Sequence, residues 1–590
     1  MIKTGKSILA FSSLTLAVSV FSSAQEIRHP NIVLIITDDQ GYGDLGFTGN
    51  PHVKTPVIDQ LASESIRFNQ FYVSPVCAPT RASLMTGRYS LRTGVRDTYN
   101  GGAMMATEEI TVAEMLKDAG YQTGLFGKWH LGDNYPFRPG DQGFDESLIH
   151  LSGGMGQPGD FTTFFKGDSS YFNPVLWYND EQKQFKGYCS DIFADEAVAF
   201  IEKNQNKPFF CYLSFNAPHT PLQVPDEYYG IYKDIDPASG HKNNDRPFPQ
   251  MSDRDKEDAR KVYAMVTNID DNVGKVLRKL EDLGISDNTL VIFMTDNGPQ
   301  QRRYNAGMRG LKSNVYRGGV RVPFLFRLPA LFAGNRNIEA TVAHIDILPT
   351  LAALCHAEIP TDRTIDGKSF LPLLKEEKAE IFESRSLFFY WTRRYPELYN
   401  NIALQKGPYK LIGNTGYDAP LDNFELYNLR EDEFELKNIL TGNNTLAAEM
   451  KSELDQMIEG LSGSPHLKNP PRIVIGSEHE NPVYLNRNDA GGARGIWTQE
   501  EVFGFWRVKI QEGMYNIRFK FIQPVESRGT MFLETNSLIF RHENKTIPTD
   551  IIEMNNVYFT ETVCDLMPHY MAAGKSIFPL WVELEKIPSD

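Results

Sequence analysis

The chain has 590 residues, of which 41% are hydrophobic and 23% charged, with 46 Gly and 34 Pro; this ordinary globular balance excludes disorder, collagen and coiled coil. Its length allows several units of ~150 residues, or one large α/β unit with smaller additions. The 60 Lys and Arg fall short of the 75 Asp and Glu and leave a net charge of −15, so no nucleic acid is expected as a partner, and an anionic substrate has to be met by a local cluster of positive charge.

Lys3 and Lys6 precede an apolar stretch from Ile8 to Phe21, and Ser22, Ser23 and Ala24 follow it. This pattern reads as a secretory signal peptide over residues 1–24, giving an exported protein, periplasmic or secreted, that starts near Gln25. The stretch is short and Ser-rich for a membrane span, no later stretch is long enough, and no membrane span is expected.

Four short apolar runs then end in polar clusters: Asn31–Thr37 before Asp38 and Asp39, Tyr121–Phe126 before Gly127, Lys128, Trp129 and His130, Pro208–Phe215 before Asn216 and His219, and Leu290–Thr295 before Asp296 and Asn297. Runs of this kind read as strands buried on both faces, the habit of parallel sheets covered by helices. Val112, Met115 and Leu116 mark one intervening helix, and Val262, Val266, Ile269, Val273, Val276 and Leu280 mark a longer one. The fold class is therefore α/β, a large, mostly parallel sheet sandwiched by helices over residues 25–375. Ligands of such sheets bind beyond the carboxyl ends of the strands, where all four polar clusters fall. Residues 376–462 carry short strands (Ser386–Tyr390, Tyr409–Ile412, Glu425–Tyr427) and a helical stretch, Leu446–Leu461, and read as a small α+β subdomain. Residues 463–590 alternate apolar-aromatic runs with Gly, Asn and Pro turns and read as an accessory β-sandwich.

Asp38, Asp39, Asp296 and Asn297 offer only oxygen ligands, which suit a hard divalent cation, calcium first and magnesium second. No His or Cys spacing of the zinc type is present. Five cysteines are scattered without paired spacing, and four of them read as small buried hydrophobes. Cys77 differs: Pro79 suits a first helical turn, which puts Cys77 at a helix N-terminus with Arg81 one turn further on. On this reading an ordinary cysteine nucleophile remains open.

The segment Cys77-Ala78-Pro79-Thr80-Arg81, continuing through Ala82 to Arg88, resembles the signature of the formylglycine-dependent sulfatases, within the alkaline phosphatase-like superfamily. Asp38-Asp39-Gln40, Gly127–His130, Pro218–Pro221, Asp296–Gly298 and Gly318–Arg321 extend the resemblance over roughly residues 30 to 460, nearest to the arylsulfatase-like carbohydrate sulfatases. The resemblance implies that a maturation enzyme reading the Cys77 motif converts Cys77 to formylglycine (3-oxoalanine), which joins the metal ligands and attacks sulfur. It also implies His130 as the base for sulfate release, Arg81 and Lys128 on formylglycine and sulfate oxygens, and His219 and Lys312 on the sulfate and the leaving oxygen. Around Lys312 the chain departs from the family, with Ser313 where Gly is more usual and Arg317 where Glu is. Either histidine alone would read as structural; their strand-end positions give them the functional reading.

Arg302, Arg303 and Arg309 form a local positive cluster expected to bind carboxylates or further sulfates, and the Gly-rich stretch from Ser152 to Gln157 is expected to line the pocket. The function expected is an exported, calcium-dependent sulfatase acting on a sulfated carbohydrate. A phosphodiesterase or phosphonate hydrolase of the same superfamily, or an unmatured glycan-binding protein, is the alternative, separated by comparing sulfate and phosphate ester hydrolysis.

Overall fold

The computed structural model describes Met1 and residues 29–241, 247–416 and 419–588, so the expected leader, apart from Met1, lies outside the described residues. A ten-stranded sheet runs, edge to edge, Arg336–Ile338, Ile66–Phe68, Phe324–Arg327, Thr289–Thr295, Asn31–Thr37, Phe209–Ser214, Gln122–Lys128, Glu146–His150, Val175–Tyr178, Glu181–Gln184. The central strands from Thr289–Thr295 to Glu146–His150 are all parallel. Both margins carry antiparallel pairs, so the sheet is mixed at its edges. Burial explains the difference: Asn31–Thr37 is buried at every residue, whereas the edge strand Glu181–Gln184 is exposed throughout and closes a hairpin.

Alternate residues of Asn31–Thr37 feed two separate cores. Ile32, Leu34 and Ile36 face one layer, and Val33 and Ile35 face the other. The helix Cys77–Thr86 packs Ala78, Ala82, Leu84 and Met85 into the first layer. The long helix Asp253–Asp282, capped by Ser252, covers the second with the expected stripe from Val262 to Leu280.

A four-stranded antiparallel sheet follows, made of Ser386–Tyr390, Ile402–Lys406, Tyr409–Gly413 and Phe424–Asn428 in that order. The helix Asn444–Ser462 lays Ala447, Met450, Leu454, Ile458 and Leu461 on it. The last part of the chain forms two β-sheets enclosing one core around Trp506, Phe519 and Phe521, and Met104 and Phe137 from the first part of the chain are built into that core. Backbone hydrogen bonds from Val474 N to Tyr135 O (3.1 Å) and from Gly101 N to Asn488 O (3.1 Å) seal the seam. Among the described residues all five cysteines are free and buried, and no helix is long and apolar enough to cross a membrane.

Candidate active site

The register of the central strands assembles the acidic end of the site. Thr37 lies opposite Thr295, so the residues after each strand land side by side. Asp39, with φ 63°, donates its backbone N–H to Asp296 Oδ1 (3.2 Å), and Asn297 Nδ2 donates to Asp39 Oδ1 (2.8 Å). Two strands over from Asn31–Thr37, beyond Phe209–Ser214, the strand Gln122–Lys128 ends on Lys128, whose Nζ sits 2.5 Å from Asp38 Oδ2 with both side chains fully buried. Gly127 makes that approach possible: a Cβ there would lie 1.8 Å from Ser214 O, on a backbone at φ 119°. Lys312 closes the other side, 2.7 Å from Asp39 Oδ1. Ser313 beside it adopts φ 76°, a left-handed conformation that the family's more usual Gly enters without strain.

Cys77 opens its helix as expected and is 2% exposed. One turn on, Arg81 is locked by Asp296 Oδ2 (2.8 Å from Nη2), the Lys128 carbonyl (3.0 Å) and Ser214 Oγ (2.5 Å), and so ties three strand ends together. His130 donates from Nε2 to the Thr98 carbonyl (2.8 Å), because a carbonyl only accepts. Its Nδ1, buried without a partner, therefore keeps its lone pair. Gly153 leaves room for this ring, since a Cβ there would lie 2.6 Å from His130 Cε1. His219 by the same logic gives its Nδ1 proton to Thr220 O (2.7 Å) and turns Nε2 toward Asp39 Oδ2, 3.7 Å away.

Burial dominates the electrostatics. It pushes the Cys77 thiol up, against the pull of Lys128 and Lys312. It pushes His130 well down, helped by Lys128, and His219 down, helped by Lys312, and both shifts favour the neutral imidazole. Burial and the neighbouring Asp38 push Asp296 up to about 7, with Arg81 and Lys128 opposing. Asp38 is buried too, yet Lys128, His219, Arg81 and Lys312 together hold it well below the usual carboxylate range.

The donors fit a divalent cation. Asp38, Cys77 and Asp296 each bring a ligand atom within 4.8 Å of the others, as do Asp38, Asp39 and His219. Asp38 Oδ1 and Asn297 Oδ1 are buried oxygens with no hydrogen-bond partner, and carboxylates crowded this closely are relieved by a cation. Spacing in the sequence showed no Cys or His grouping, but the fold brings Cys77 and His219 to this place from distant positions.

A cavity of about 380 Å³ opens over these groups, lined by Cys77, His130, His219 and Lys312, by Gly153 and Gln157 of the Gly-rich stretch, and by Tyr99, Gln300, Arg393 and Trp497. Arg302, Arg303 and Arg309, expected to recognise substrate, are not among its lining residues. Arg303 is 1% exposed and clamps Asp44 Oδ2 (2.7 Å) and the Asp39 carbonyl (2.9 Å), so it holds the loop carrying Asp39 and reaches no ligand. Arg309 stacks on Tyr316, 3.9 Å from the ring centroid, and donates to Tyr427 Oη (2.8 Å). Arg302 reaches the Gln250 carbonyl at 3.4 Å. Arg393 and Trp497 line the cavity instead. The run Trp391-Thr392-Arg393-Arg394-Tyr395 was a visible aromatic and basic signal for the first; nothing in the sequence brought Trp497 to the site.

The sulfatase family model matches residues 30–357, and the model of the C-terminal region of N-sulphoglucosamine sulphohydrolase matches residues 311–461. Arylsulfatase A of Homo sapiens is 32% identical over 484 residues, spanning 73% of this chain and 87% of its own. Steryl-sulfatase of Rattus norvegicus is 32% identical over 408 residues, 58% of this chain and 70% of its own. The crystal structure of Ps i-CgsB superposes with a TM-score of 0.64 at 30% identity, covering 75% of this chain and 94% of that one, and the same protein has been solved in complex with k-i-k-neocarrahexaose.

Proposed function

Because the chain belongs to the sulfatase family of sulfuric ester hydrolases, we propose that it is an exported, calcium-dependent enzyme that removes sulfate from a sulfated carbohydrate with formylglycine made from Cys77. The carrying observation is the convergence of Cys77 with Asp38, Asp39, Asp296, Asn297, Lys128, Lys312, His130 and His219 beyond the ends of neighbouring strands. Export is supported by the leader pattern of residues 1–24. The carbohydrate substrate is supported by Ps i-CgsB, 30% identical and solved with a neocarrahexaose.

Asp38, Asp39, Asp296 and Asn297 would hold calcium with position 77, and the ion would supply Lewis-acid polarisation. A hard cation is supported by the unpartnered atoms, Asp38 Oδ1 and Asn297 Oδ1, which are hard oxygens, and calcium is our first choice with magnesium second. Formylglycine, when hydrated, supplies one hydroxyl to attack sulfur and a second whose deprotonation releases the sulfate. His130 serves that release: its neutral Nδ1 is the lone pair available to take the proton, and the Thr98 carbonyl fixes the tautomer. Lys128 and Lys312 bring ammonium groups to the anionic oxygens, while Arg81 sets position 77 against Asp296. Lys312 would supply the proton with which the sugar oxygen departs, and His219 lines the same cavity beside it.

The test is sulfate release from a panel of defined sulfated saccharides and matched phosphate esters. Wild type co-produced with a formylglycine-generating enzyme is compared with Cys77→Ala, each with and without a calcium chelator. Wild type is expected to release sulfate, and Cys77→Ala to fall about a thousandfold or more. Chelation is expected to abolish release and added calcium to restore it. Equal release by Cys77→Ala, or faster phosphate than sulfate hydrolysis, defeats the proposal.

A further inference from the structure

The matched family region ends at residue 461, yet one wall of the active-site cavity comes from beyond it. Trp497 closes a short turn, Arg494–Trp497, whose Ile496 is fully buried in the core of the C-terminal sheets while the Trp ring stays half-buried over the cavity. Its ring meets Tyr99 edge-on, 5.7 Å between centroids and 74° between planes. Arg393 completes the wall: its guanidinium carbon lies 5.1 Å from the Tyr99 centroid and 4.8 Å from that of Trp391.

The position of this wall is fixed from both sides of the seam. Gly492 N donates to Asn100 Oδ1 (3.0 Å), Arg394 Nη2 donates to Gly492 O (2.9 Å), and Asn486 Nδ2 donates to Asp133 Oδ2 (2.7 Å). Arg393 uses Nη1 on Asp97 Oδ1 (3.3 Å) and Thr98 Oγ1 (3.0 Å), and Thr98 is the residue whose carbonyl fixes His130. Among the described residues Nε and Nη2 of Arg393 make no hydrogen bond, and its side chain is 46% exposed. A flat indole, a phenol edge and a guanidinium with free donors, ordered before any ligand arrives, match a pyranose with an anionic substituent: C–H faces pack on Trp497, and a carboxylate or sulfate takes the Arg393 donors.

We infer that Trp497, Tyr99 and Arg393 form a subsite for a second sugar, adjoining the one that loses sulfate and carrying its own anionic group, so that the C-terminal sheets are part of substrate recognition. The inference rests on the sulfatase reading for its orientation, and it makes the substrate an oligosaccharide of repeated charge. Arg393 donates to the side chain of Thr98, whose carbonyl orients His130, and so joins this subsite to the catalytic side of the cavity.

The test is binding, measured by titration calorimetry on the full chain in the Cys77→Ala background, which needs neither maturation nor turnover. The probes are hexasaccharides of carrageenan, chondroitin sulfate, heparan sulfate and fucan, each beside its sulfated monosaccharide. The best hexasaccharide is expected to bind at least tenfold tighter than its monosaccharide. Trp497→Ala is expected to remove about tenfold of that advantage, while Trp497→Phe, which keeps a ring, stays within about threefold of the parent. Arg393→Ala is expected to erase the preference for a hexasaccharide charged on the second sugar over one desulfated there, and Arg393→Lys to keep part of it. No hexasaccharide advantage, or an advantage that survives both alanine variants, overturns the inference. Absence of sulfate release by the matured wild type defeats the catalytic reading instead, and leaves these affinities readable.

Discussion

Arg303 keeps its guanidinium wholly inside the protein, facing Asp44 with both side chains at 0% exposure, while Nη2 also donates to the Asp39 carbonyl and Nη1 to Gln301. Removing one partner of such a pair strands a buried charge, at a cost of about 3–5 kcal/mol, far more than the pair's net contribution to stability. Arg303→Ala is therefore expected to lower the melting temperature sharply and to weaken the proposed binding of calcium, because the loop from Asp39 to Asp44 loses its anchor. Calorimetric unfolding and a calcium titration check both effects, and Arg303→Lys, which cannot span both acceptors, is expected to restore little. The residue also shows where the sequence stops being legible. The cluster around Arg302 and Arg303 was plain in an acidic chain, but clustering says nothing of direction, and Arg303 points inward because Asp44, far away in sequence, waits there. Asp38, Asp39, Asp296 and Lys128 were legible because each ends or follows a buried apolar run, and strand ends converge; Cys77 was legible instead from Pro79 and Arg81 in the segment it opens.

At the scale of the element, the strand Gln122–Lys128 reaches its neighbour only because Gly127 has no side chain. Gly127→Ala puts a methyl carbon against the Ser214 carbonyl and demands a left-handed alanine, which together cost about 3 kcal/mol or more. Lys128 and His130 then shift from Asp38 and Thr98. The expected outcome is a lower melting temperature together with a loss of sulfate release larger than the loss of folded protein, checked by activity per folded molecule. The central strands were readable in the sequence because continuous apolar runs are the mark of burial on both faces. The marginal strands were not: Val175–Tyr178 and Glu181–Gln184 are short and partly or wholly exposed, and carry no such run. Strand order was hidden as well, since nothing local tells Phe209–Ser214 that it will lie between Asn31–Thr37 and Gln122–Lys128.

At the scale of the molecule, Met104 and Phe137 are plugs inserted from the first part of the chain into the core of the last. Ending the chain at residue 462 bares these side chains and the backbone groups of Gly101 and Tyr135 that the C-terminal sheets satisfy. The shortened protein is expected to aggregate or to be cleaved rapidly around residues 97–104 and 133–137, whereas the full chain resists; limited proteolysis with peptide mapping decides. The β-rich character of residues 463–590 was legible from apolar-aromatic runs separated by Gly, Asn and Pro turns. Its docking was not, because Met104 and Phe137 look like any other apolar residues until their partners are placed.

Every residue of the helix Cys77–Thr86 is buried. An enzyme that chemically alters Cys77 by reading Pro79 and Arg81 finds nothing to grip on the finished protein. The conversion proposed for Cys77 would then belong to the interval between synthesis and folding, and the two processes would race. If Cys77 is converted as proposed, a chain that folded too soon would keep its thiol, timing during biosynthesis would set the active fraction of a preparation, and speeding the formation of the fold would lower the yield of working enzyme.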